Sequence, residues 1–72
     1  MKENELVHNY VSEILKLIKN INDESIKFFE FTQNKHDYQN IFLKAMDMLL
    51  ELGFEIHITF LKTAYNVRLQ WV

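Results

Sequence analysis

Apolar residues recur along this chain with two different periods, and the switches between them mark five elements. From about Asn4 to Asn20, Val7, Val11, Ile14, Ile18 and Ile21 step by four and three residues, which at about 100° per residue keeps them on one side of a helix. Leu6, Tyr10, Leu15 and Leu17 widen that stripe to about half the cylinder. His8, Asn9, Ser12, Glu13, Lys16, Lys19 and Asn20 fill the other half. The stretch Asn20-Ile-Asn-Asp-Glu-Ser25 ends the helix, because Asn, Asp and Ser compete for backbone hydrogen bonds and favour turns.

Ser25 to Thr32 (Ser-Ile-Lys-Phe-Phe-Glu-Phe-Thr) reads as a strand on its cluster of Phe, with a helix as the alternative because Ile26 and Phe29 are also helically spaced. A polar connection, Gln33 to His36, leads into a second helix from about Asp37 to Leu52. Gly53, the only glycine in the chain, stops it where a left-handed residue is wanted. Phe54 to Leu61 and Asn66 to Val72 then alternate. Phe54, Ile56, Ile58, Phe60, Val67, Leu69 and Trp71 lie on one face; Glu55, His57, Thr59, Arg68 and Gln70 lie on the other.

Keeping the apolar faces of those last two strands together requires a loop of even length. A two-residue loop at Lys62 and Thr63 lacks the Gly or Asn that such turns prefer, so a four-residue loop from Lys62 to Tyr65 is expected. It pairs Phe60 with Val67, Ile58 with Leu69 and Ile56 with Trp71, and sets Thr59 beside Arg68 and His57 beside Gln70. The expected fold is one small α+β domain spanning residues 1–72, in the order α-β-α-β-β. Two helices lie on one face of a short antiparallel sheet that ends in a hairpin.

Composition narrows the chemistry. The chain has 72 residues, of which 49% are hydrophobic, and it has no Cys, so packing alone must stabilise a core near the lower size limit for independent folding. Thiolate metal sites, redox pairs and cysteine nucleophiles are excluded. A single glycine also excludes the Gly-rich phosphate loops and the nucleophile elbow, whose backbones need several. His8, His36 and His57 are not within ligand spacing of one another, so no metal or cofactor is expected. Ser12, Ser25 and Thr32 lack recognisable His and acid partners.

The formal charge of −2 gives no field to draw nucleic acid or anionic lipid. No apolar run reaches the length of a membrane span, and the polar start Met1-Lys-Glu-Asn-Glu5 is not a leader, so the protein is expected in the cytosol. Seven Asn with abundant Ile, Phe and Lys suggest an AT-rich source, such as a low-GC bacterium or its phages.

The second helix is more apolar than a helix on a sheet requires. Tyr38, Ile41, Phe42, Ala45, Met48, Leu49 and Leu52 make one face, and Leu43, Met46 and Leu50 add a second stripe, extending the apolar arc to about 220°. Covering that stripe calls for the first helix, a second copy or another protein. Asn66 to Val72 reads as an exposed edge strand open to strand addition. The expected function is therefore a non-catalytic protein-binding module, with a homodimer as one form and a phage-encoded inhibitor or small regulatory subunit as the type. Its binding residues are Leu43, Met46 and Leu50, or His57, Thr59, Arg68 and Gln70 on the polar sheet face. A small nucleic-acid-binding regulator is the alternative, and it requires folding to gather the dispersed lysines. An enzyme built on His57, Glu55 and Arg68 is a third class.

Overall fold

A computed structural model describes residues 2–21, 23–36 and 39–72. The elements are α1 (Glu3–Lys19), β1 (Phe28–Asn34), α2 (Gln39–Glu51), β2 (Glu55–Phe60) and β3 (Ala64–Gln70). The α+β class and the order α-β-α-β-β are as the periodicity predicts. Asp37 and Tyr38, read as the start of the second helix, lie outside the described residues, as does Asn22 of the expected turn.

Helix α1 forms where charge and apolar spacing agree. Glu3 and Glu5 stand in its first turn and Lys16 and Lys19 in its last, each sign opposing the partial charge of that helix end. Beyond it, the Asp23 carboxylate accepts from both the Ser25 backbone N–H (2.9 Å) and the Ser25 hydroxyl (2.7 Å). This local turn stops the helix from propagating. The two bonds hold the Asp23 carboxyl below the usual carboxylate range, the hydroxyl contributing most.

Helix α2 ends in a Schellman motif. Phe54 N–H reaches Leu49 O at 3.2 Å and Gly53 N–H reaches Leu50 O at 3.0 Å, which needs the positive φ of 101° that Gly53 supplies.

The sheet is antiparallel with order β1-β3-β2. Two expectations change here. Asn66 to Val72 is not an edge: its strand, β3, is the central one, bonded on both sides, and β1 and β2 are the edges. The hairpin loop is also shorter than expected. Phe60 pairs with Tyr65, Ile58 with Val67 and Ile56 with Leu69, and Leu61 N–H bonds Ala64 O at 2.9 Å. Only Lys62 and Thr63 remain in the loop.

Two- and four-residue loops keep the same face inward, so alternation could not choose between them. The neighbouring edge strand decides the register. β1 pairs with β3 as far as Asn34 with Ala64, and Lys35 N–H bonds Thr63 O at 3.0 Å. Extending β3 back to Ala64 therefore satisfies backbone groups on both of its sides.

Both helices pack on one sheet face. Val7, Val11 and Ile14 of α1, Ile41, Phe42, Ala45, Met46 and Leu49 of α2, and Val67 and Leu69 of β3 form the buried cluster. Phe42 stacks on Tyr65 at 5.1 Å between ring centroids and meets Tyr10 edge-on at 6.3 Å, linking α2 to the central strand and to α1. A Glu3–Lys44 ion pair at 2.6 Å also joins the helices; being exposed, such a pair contributes no more than about 1 kcal/mol.

Candidate functional site

Three surfaces hold the residues that the sequence singles out, or should have. The first is the open face of the sheet. The paired registers align Glu30, Arg68 and His57 in one row across the three strands, Thr32, Asn66 and Thr59 in the next, and Phe28, Gln70 and Glu55 on the other side. His57, Thr59, Arg68 and Gln70 thus do share a face. The expected neighbours shift with the register: His57 lies beside Arg68 rather than Gln70, and Thr59 lies beside Asn66 rather than Arg68.

Arg68 Nη1 donates to Glu30 Oε1 at 3.3 Å, and its guanidinium lies 4.2 Å from the centroid of Phe28. Its Nε is covered and has no hydrogen-bond partner, as expected when a guanidinium lies flat on a ring. His57 Nε2 stands 3.1 Å from Glu55 Oε1, and both side chains are well exposed. A charge already paired and an imidazole in open solvent give this face ordinary surface chemistry. Among the described residues, no group of three or more His, Asp or Glu is placed to hold a metal ion, and no helix is long and apolar enough to cross a membrane.

The second surface is the extra stripe of α2, which the structure divides. Leu43 and Leu50 are 50% and 53% exposed, whereas Met46 is 5% exposed and belongs to the core. The assignment of Met46 to a binding stripe is therefore corrected. From Met48 through Ile41, Ala45, Leu49 and Phe42 to Met46, the covered arc of α2 is about 160° at about 100° per residue. It is that wide because α2 packs on both α1 and the sheet. Among the described residues, Leu43 and Leu50, about two turns apart, lie outside that arc, and Leu52, expected on the covered face, is 56% exposed one residue past the helix end.

Of the third surface the sequence marks only Leu6, which with Leu15 is an edge of the first helix's wide stripe left to be covered. A groove of about 360 Å³ runs between α1 and edge strand β1, with Leu6, Tyr10, Leu17, Phe29 and Phe31 as its main apolar lining and Asn9 and Glu13 also bordering it. Leu17 is 51% exposed. Tyr10 meets Phe31 edge-on at 6.4 Å, and its hydroxyl donates to Gln33 Oε1 at 2.7 Å, fixing the helix over the strand. Burial pushes the Tyr10 phenol up to about 12, so this donor keeps its proton throughout the physiological range.

The backbone below the groove is directional. Trp71 N–H bonds Lys27 O and Lys35 N–H bonds Thr63 O, each at 3.0 Å. The odd-numbered residues of β1 therefore turn their N–H and C=O toward β3. Phe28, Glu30 and Thr32 turn theirs outward, along one of the two free edges of the sheet. The sequence signal for this surface was the width of the first helix's stripe: Leu6, Tyr10 and Leu17 sit on its edge rather than its centre.

Comparison with known protein families, curated proteins and solved structures finds no match to this chain.

Proposed function

We propose that this protein is a non-catalytic protein-binding module, of the type represented by small regulatory subunits and phage-encoded inhibitors, and that it binds through the α1–β1 edge. The supporting observation is a coincidence of two unmet demands at one place. An apolar groove lies directly above a strand whose outer backbone groups have no strand beside them. A protein segment meets both at once: its own N–H and C=O continue the sheet, and its alternate side chains enter the groove. A small polar ligand would satisfy neither the leucines nor the ladder.

Site-specific crosslinking tests this. A photoreactive benzophenone side chain at position 17, in cells of the host that makes the protein, is expected to give discrete covalent adducts. The same group at position 19, on the polar side of α1, is expected to give none. Equal labelling from both positions would contradict binding at the groove.

A further inference from the structure

Resting on that reading, we infer that the groove's occupant is a second copy of this chain, joined by antiparallel pairing of β1 with β1 about a two-fold axis through Phe31, so that two sheets become one.

The strand is self-complementary in that register. Phe31 is at the middle of Phe28–Asn34, so a two-fold axis there overlaps the strands fully. The outward-facing Glu30 of one copy then pairs with the outward-facing Thr32 of the other. Moving the axis to Glu30 sets two carboxylates directly opposite, which is unfavourable. Moving it to Thr32 leaves Phe28 beyond the end of the partner strand.

The same axis also relates the two α1 helices. α1 runs antiparallel to β1, since Tyr10 meets Phe31 and Gln33 while Ile18 and Ile21 lie by Ile26 and Lys27. At about 1.5 Å per helix residue and about 3.3 Å per strand residue, the point of α1 above Phe31 lies about two residues beyond Tyr10. That is the midpoint of the stripe Leu6, Tyr10, Leu17. One axis therefore places Leu6 of each copy opposite Leu17 of the other, above the new strand pair, with the two Glu13 side chains, each paired with Lys16 of its own copy, beside the axis.

Spacing permits this. Strands pair about 4.8 Å apart and helices pack about 8 to 10 Å apart, so each α1 must sit about 2 Å inboard of its own β1. An offset of that kind leaves the strand's side chains incompletely covered, and Phe29 and Phe31 are only partly covered, whereas Val67 and Leu69 on the central strand are fully buried. A second copy also enlarges the core of a domain whose length leaves little surface to bury.

Sedimentation of the full chain over a range of concentrations tests the inference, with Thr32→Pro as the main variant. Thr32 N–H points outward, so proline there removes no bond to β3 and leaves the fold intact, while blocking the new ladder. The expected result is a wild-type dimer and a Thr32→Pro monomer with unchanged far-UV circular dichroism. Leu17→Lys, on the exposed groove wall, gives the same loss of dimer should proline perturb the strand. A wild type that stays monomeric, or a dimer that survives both variants, overturns the inference. So does a dimer lost instead in the Leu43→Lys, Leu50→Lys double variant. The position-17 adduct separates this from the broader reading: an adduct of twice the chain mass supports self-pairing, one with a different protein overturns self-pairing alone, and none overturns both.

Discussion

Phe42→Ala is expected to lose about half of the folding free energy of this protein. Phe42 is 1% exposed and stacks on Tyr65 while meeting Tyr10, so its ring connects both helices to the central strand. Truncating a buried Phe costs roughly 3 to 5 kcal/mol, from lost transfer free energy and the cavity left behind. A domain of this length has in total roughly 4 to 11 kcal/mol, at about 0.05 to 0.15 per residue. Urea denaturation followed by far-UV circular dichroism will show either a collapse of the midpoint or no cooperative transition. A loss below about 1 kcal/mol would mean that the packing around α2 is not as described.

The second large effect separates residues that sequence periodicity had placed together. Met46→Lys is expected to unfold the domain, because it puts an ammonium group into the buried apolar cluster, which holds no counter-charge. Leu43→Lys and Leu50→Lys, at exposed positions on the same helix, are expected to stay within about 0.5 kcal/mol of wild type. Thermal melts of the three single variants decide the matter. Similar losses at all three positions would return the whole stripe to the core; three silent variants would place Met46 on the surface.

The contrast among those three positions shows what was legible in the sequence. Helix and strand identities follow from period, and Gly53 marks a boundary that backbone geometry enforces. The division between Met46 and Leu43 is not local, because it depends on how far the sheet and α1 wrap around α2. The hairpin register was hidden for a related reason. Alternation fixes which face points inward but not an even slip, and the deciding bonds come from β1, more than 25 residues away in the chain. The open sheet face was recoverable as a set, since His57, Thr59, Arg68 and Gln70 alternate with apolar neighbours. Its pairings were not, because they inherit the register.

The groove was the hardest to anticipate. It arises from where two elements leave a gap, and the breadth of the first helix's stripe marks Leu6 and Leu17 as edge residues without showing that Phe29 and Phe31 lie beneath them. Strand order mattered equally. Once β3 is central, the free backbone edges pass to β1 and β2, and the one beside α1 is β1, so the most consequential surface moves from the end of the chain to its first half.

Amide hydrogen exchange resolved to single residues tests the central claim most directly. The amides of Phe28, Glu30 and Thr32 are expected to exchange freely in dilute protein and to become protected as concentration rises, while those of Phe29 and Phe31, bonded to β3, stay protected throughout. Protection of all five at every dilution, or free exchange of Phe28, Glu30 and Thr32 at every concentration, would contradict an edge that binds.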